Sequence, residues 1–228
     1  MSQSVSELGD ILELLYGAPR RFTTVRGVIR EWEDHRLSEI AARVEGAGDE
    51  MPVSGSTRDS SVSELTVRVW VDQEWRFREE WDPGPGSKRR IEVRNRDRRW
   101  TFEQCRGIVE KRGAPAGIAQ THYASHLLAP FEVICDLELI PTGFAEFLGR
   151  KSRRVSCQPC RGYRGGGLAR LGEGADEYRL LVDAEIGVVL RTEASFAGQP
   201  FLIIEFTEIE FDRPLRDRLF EEAERDPS

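Results

Sequence analysis

Hydrophobic positions along the chain change their spacing several times, and each change marks an element. Leu8, Ile11, Leu12, Leu14 and Leu15 recur with helical spacing behind Ser6, Glu7 and Asp10, a capping residue and two carboxylates suited to a helix start. Gly17 and Pro19 end this helix, so residues 1–20 are expected to hold one helical segment. From Phe22 to Trp32 the β-branched content rises, and Val25, Val28, Ile29 and Trp32 predict a strand. Leu37, Ile40, Ala41 and Val44 return to helical spacing and stop at Gly46. Residues 46–62 are rich in Gly and Ser and carry no period, which predicts a mobile loop.

Period two then takes over. Leu65, Val67, Val69 and Val71 alternate with Thr66, Arg68 and Trp70, the pattern of a half-buried strand. Trp75, Phe77, Glu79 and Trp81 alternate with Arg76, Arg78 and Glu80 until Asp82-Pro-Gly-Pro-Gly86 breaks the run. Ile91 and Val93, Trp100 and Phe102, and the segment from Gly107 to Lys111 predict three further short strands. Residues 122–139 show near-helical spacing, with Pro130 allowed only in a first turn and Pro141 as the stop. Strands resume over 144–148, 153–159, 178–182, 188–196 and 201–211. Asp183–Gly187 and Ala197–Pro200 read as hairpin loops, and Gly165-Gly-Gly167 as a flexible hairpin tip. In the last strand the apolar phase jumps from Leu202, Ile204 and Phe206 to Ile209 and Phe211, which calls for a bulge near Thr207-Glu208. Roughly ten strands with short connections form antiparallel hairpins, because parallel pairs need long crossovers. The expected object is a single α+β domain over 1–228, a large curved antiparallel sheet with a few helices on its concave face.

Composition narrows the function classes. The chain has 228 residues, 33 Lys+Arg against 40 Asp+Glu, and a net charge of −7, a poor balance for binding nucleic acid or anionic lipid. Only Lys88, Lys111 and Lys151 are lysines, so the arginine count reflects a compositional bias rather than a recognition surface. The cluster Lys88, Arg89, Arg90, Arg94, Arg96, Arg98 and Arg99 is accordingly expected on a solvent-facing hairpin, paired with acidic neighbours across the sheet. No apolar run reaches the roughly 20 residues of a membrane helix. Met1–Asp10 has neither a basic head nor an apolar stretch, so the expected location is the cytoplasm, or outside it if a leader precedes this sequence. Four cysteines are too few for a disulfide scaffold, and thiols are expected.

The run 178–220 carries a longer signature: Leu181, Val182, Asp183, Glu185 and Gly187 in a hairpin, then Phe196, Phe206 and Phe211, then Pro214, Leu215, Leu219 and Phe220 in a closing segment. These residues resemble the LolA/LolB-like lipoprotein-carrier superfamily, which includes RseB N-terminal-like domains. The resemblance implies an open half-barrel around helices and a non-enzymatic role: sheltering an apolar ligand such as an acyl chain, or docking and sensing another protein. Strands 65–103 look like the front half of the same sheet.

Candidate site residues follow from both readings. Trp70, Trp75, Phe77, Trp100 and Phe102, with Trp81 nearby, lie on adjoining strands and are expected to wall an apolar cavity, against the plainer reading of core packing. Cys157-Gln-Pro-Cys160 has the spacing to chelate zinc or exchange disulfides, and His122 and His126, four residues apart, could supply two more ligands. The motif does not open a helix, and His122–His126 lacks a metalloprotease glutamate, so no metal or cofactor is assigned. A metal- or thiol-dependent activity at Cys157/Cys160 remains the second alternative function. Cys105 and Cys135 are expected as small core hydrophobes.

Overall fold

The computed structural model describes residues 2–45, 61–72, 76–82, 84, 89–95, 98–103, 107–112, 124–160 and 169–221. Among the described residues eleven strands, against the roughly ten that the sequence pattern suggests, form a single open antiparallel sheet in the order β6-β5-β4-β3-β2-β1-β11-β10-β9-β8-β7. They are β1 (Thr24–Asp34), β2 (Val62–Asp72), β3 (Phe77–Asp82), β4 (Arg90–Asn95), β5 (Arg98–Glu103), β6 (Gly107–Arg112), β7 (Leu137–Phe147), β8 (Arg150–Pro159), β9 (Glu177–Asp183), β10 (Val189–Phe196) and β11 (Gln199–Phe211). Two meanders, β1–β6 and β7–β11, are joined where β1 pairs with β11 at the centre, leaving β6 and β7 as edges. The sheet is not closed into a barrel, and with its helices the fold is α+β.

Helices α1 (Ser2–Gly17), α2 (His35–Glu45), α3 (Ala124–Leu128), α4 (Phe131–Ile134) and α5 (Ala169–Gly172) cover one face, here called inner. Ile11 and Leu15 of α1, Ala41 of α2, Leu127 and Leu128 of α3 and Leu171 of α5 share one core with Val25, Ile29, Val67, Val69, Leu180, Val182 and Phe206 of the strands. Burial of such aliphatic side chains stabilises by about 1.5–3 kcal/mol each, so this helix–sheet layer carries most of the stability.

The bulge expected near Thr207 is present. Val28 pairs with Glu208 and Ile29 with Phe206, so Thr207 is the extra residue on β11 and both apolar sets face inward. The signature hairpin also finds its physical reason. Asp183 Oδ1 accepts the Glu185 N–H at 2.9 Å and the Ile186 N–H at 2.7 Å, and its Oδ2 accepts from Arg150 Nε. Gly187 sits at φ +89 with the Leu14 carbonyl of α1 where a side chain would stand. The motif thus docks the first helix, which explains why it reports fold rather than function.

Among the elements, the sequence expectation fails most clearly between the two meanders. Residues 122–139 do not form one helical segment: α3 and α4 are short, with Pro130 between them, and β7 already begins at Leu137. Leu137 and Leu139 point into the core while Glu138 and Ile140 are exposed, a period of two that the neighbouring leucines conceal in the sequence. Pro141 lies within β7 rather than ending an element. It is tolerated because β7 is an edge strand and the register shifts between Pro141 and Gly143. The loop expected over 46–62 lies outside the described residues up to 60, and Val62 begins β2. The glycine run 165–167 lies outside them too.

Candidate ligand-binding face

The pairing register carries the inner face across the β2–β5 wing. Val67, Val69 and Val71 of β2 stand opposite Trp81, Glu79 and Phe77 of β3. Those three stand opposite Arg90, Glu92 and Arg94 of β4, and Arg94 in turn opposite Arg99 of β5. Side chains alternate along a strand, so all of these share the core side. The wing therefore passes from aliphatic, through an aromatic pair flanking a carboxyl group, to a row of charges. That row is buried: Glu79 is 0 % exposed, Glu92 1 % and Arg94 6 %.

Buried charge is costly unless it is paired. Glu92 is paired. Its Oε2 accepts from Arg90 at 3.1 Å and from Arg99 at 2.7 Å, and its Oε1 lies 2.7 Å from Arg99 Nε. Arg90 also lies over the Trp81 ring at 4.9 Å. Glu79 is not paired. Its Oε1 receives only a 3.5 Å contact from the Ala124 N–H of α3, and its Oε2 has no hydrogen-bond partner. Burial, reinforced by the neighbouring Glu92 charge, pushes the Glu79 carboxyl up to about 8, so at neutral pH it is mainly a carboxylic acid. Arg94 lies over the Phe77 ring at 5.0 Å, feels the charges of Glu92 and Glu79, and forms no hydrogen bond or ion pair with either among the described residues. Burial and Arg99 lower its proton affinity, yet a guanidinium stays charged.

This arrangement divides the expected aromatic wall. Phe77 is on the inner face, joined by Trp81. Trp70 stands opposite Arg26 and Arg78 on the outer face, where it lines a cleft of about 460 Å³ with Arg26, Arg68 and Glu208. Trp100 stands opposite Val93, again outside, in a small cluster of Ile91, Val93 and Trp100 with Phe102 against it. The C-terminal turn Asp217–Phe220 packs on that outer side: Arg78 donates to the Leu219 carbonyl and Asn95 Nδ2 to the Phe220 carbonyl at 3.2 Å. Trp75 lies outside the described residues.

The arginine cluster is corrected in part. Arg89 is exposed and pairs with Glu80 at 3.0 Å, as expected of a solvent-facing hairpin. Arg90, Arg94 and Arg99 instead point inward, because Ile91 and Val93 take the outer positions. The signal was in the alternation: Arg90-x-Glu92-x-Arg94 is in phase with Glu79, the one charged residue among the apolar positions of β3.

Cys157 and Cys160 sit in different settings. Cys157 is fully buried on the inner face of β8, opposite Tyr178, and burial pushes its thiol up to about 12, so at neutral pH it is a thiol rather than a reactive thiolate. Cys160 follows the strand and donates its N–H to the Asp136 carbonyl at 2.9 Å. His126 is buried in α3, and His122 lies outside the described residues. Among the described residues no three His, Cys, Asp or Glu side chains could hold a metal ion. Cys135, expected in the core, is exposed, 3.5 Å from the Tyr16 hydroxyl.

No family model matches the chain, and no curated protein matches it. Solved structures do. An uncharacterized conserved protein from Thermus thermophilus is similar at a TM-score of 0.52 and 13% identity over 96% of both chains. A chain of the Pseudomonas aeruginosa MucA/MucB complex is similar at 0.51 and 17% identity, over 93% of this chain and 60% of that one. This chain thus spans about three fifths of that relative. The lipoprotein LppX of Mycobacterium tuberculosis is similar at 0.50 and 9% identity over 92% and 98%. At such identities the likeness defines a fold. The class is an open antiparallel sheet with helices on one face, and the fold is LolA/LolB-like.

Proposed function

We propose that the protein is a non-enzymatic binding module that holds an amphipathic ligand with an acyl chain against the inner face of the β3–β5 wing. The observation that carries this reading is the buried row of Glu79, Glu92 and Arg94 beside Phe77 and Trp81, whose charges are incompletely paired. A protein core does not retain unpaired polar groups for stability, because each costs on the order of 1–3 kcal/mol. Groups held ready at a cavity wall for a ligand are the natural exception. A second reading, docking of a protein partner, is favoured by the outer cleft at Trp70, where Arg26, Arg68 and Glu208 surround an aromatic side chain. A neighbour in fold is recorded in a protein complex, MucA/MucB.

A neutral naphthylamine probe that brightens in apolar surroundings tests the first reading. Wild type is expected to take it up at micromolar concentration, and Phe77→Leu to weaken uptake roughly tenfold, about 1.4 kcal/mol. Trp100→Ala, on the outer face, should leave uptake unchanged once thermal melts confirm folding. Absence of uptake by wild type removes the carrier reading and moves protein docking ahead.

A further inference from the structure

Resting on that reading, we propose that the ligand's head is a carboxylate, that of a fatty acid, seated between Arg94 and Glu79 while its chain runs against Phe77 and Trp81. The geometry supplies the seat. Arg94 pairs with Phe77 across β3 and β4, and Glu79 with Glu92, so Arg94 and Glu79 are diagonal neighbours on one face. Such neighbours stand about 7–8 Å apart at the backbone, a separation that a carboxylate between their side-chain ends can bridge.

Each group lacks what the other cannot give. Arg94 is 6 % exposed, and among the described residues nothing accepts its hydrogen bonds. Glu79 is 0 % exposed and its Oε2 has no partner. A carboxylate accepts two N–H bonds from the guanidinium, the pairing that planar fork favours, and an O–H bond from the protonated Glu79. No proton or bond is transferred.

Charge sets the valence of the head. Arg90 and Arg99 on the same face are both held by Glu92, and Glu103 stands opposite Arg90 rather than Arg94. Arg94, which forms no ion pair with a described residue, carries a single charge and so suits a monoanionic head, while Lys111 of β6 stands opposite Arg99 rather than Arg94. The rings set the tail. Phe77 and Trp81 flank Glu79 along β3, so an apolar chain leaving the carboxylate meets aromatic surface on either side.

Equilibrium binding of oleate, oleyl alcohol and acetate at pH 7 separates head from tail. Wild type is expected to bind oleate at least tenfold tighter than oleyl alcohol, and acetate without measurable affinity. Arg94→Met should remove that preference and leave oleyl alcohol affinity unchanged. Arg94→Lys, which keeps the charge but not the fork, should retain part of it, and it stands in for Arg94→Met if that variant does not fold. Equal affinity of wild type for oleate and oleyl alcohol overturns the head assignment and leaves the binding-module reading standing. Full preference retained by Arg94→Met overturns it also. Failure of wild type to bind either long-chain ligand overturns both.

Discussion

Replacing Glu79 by glutamine is expected to flatten the pH dependence of stability and to make the protein more stable than wild type at pH 8. The cause is the buried carboxyl, whose affinity for its proton is raised from the ordinary 4.5 to about 8, first by burial and then by Glu92. Between those values the native state holds the proton and the unfolded chain has released it. Rising pH therefore favours unfolding, by about 1.4 kcal/mol per unit for a single group. The contribution is largest below about pH 4.5 and is lost as pH rises toward about 8. Glutamine has the same shape and no ionisable proton, so the variant lacks this slope. With allowance for relaxation around the charge, the gain at pH 8 should be on the order of 3 kcal/mol, and near pH 5 the two proteins should nearly coincide. Urea unfolding at several pH values measures it. Parallel stability–pH curves would mean that Glu79 is ionised in the folded protein.

Two glycines at positive φ should respond very differently to alanine. Gly198, at φ +76 in the β10–β11 turn, has nothing within 4 Å of the position a Cβ would take. Gly198→Ala should cost only the left-handed backbone penalty, about 1–2 kcal/mol. Gly187, at φ +89, would place its Cβ 2.1 Å from the Leu14 carbonyl oxygen of α1. That neighbour is helix backbone and cannot swing away. Gly187→Ala should therefore push α1 off the sheet, exposing Ile11 and Leu15, which are 1 % and 0 % exposed in the fold. A loss on the order of 3–5 kcal/mol is expected, together with rapid proteolysis within residues 2–17. Equal costs at the two positions would show that the hairpin does not seat the helix.

Much of the sheet was legible because its strands alternate cleanly. Val67, Val69 and Val71 announced β2, and the phase jump between Phe206 and Ile209 placed the bulge that the register confirms at Thr207. The start of β7 was not legible, since Leu137 and Leu139 continue a leucine series whose spacing also fits a helix. The candidate site was half legible for a different reason. Alternation along one strand tells which residues share a face, but not which face of the next strand they join. Trp100 and Phe77 looked alike in the sequence, and only the pairings Trp100 with Val93 and Val93 with Arg78 place Trp100 on the other side. The same pairings turn Arg94 inward, where a surface hairpin was expected.

The tryptophans make the binding face directly measurable. Among the described ones, Trp81 faces inward, whereas Trp32, Trp70 and Trp100 stand opposite Ile203, Arg78 and Val93 on the outer side. Their indole N–H signals can be followed together by two-dimensional nitrogen–proton NMR during a titration with oleate. Binding on the inner face of the β3–β5 wing predicts a saturable shift of the Trp81 signal, with those of Trp32, Trp70 and Trp100 essentially stationary. A stationary Trp81 alongside a moving Trp70 or Trp100 would contradict it and place the ligand on the outer face.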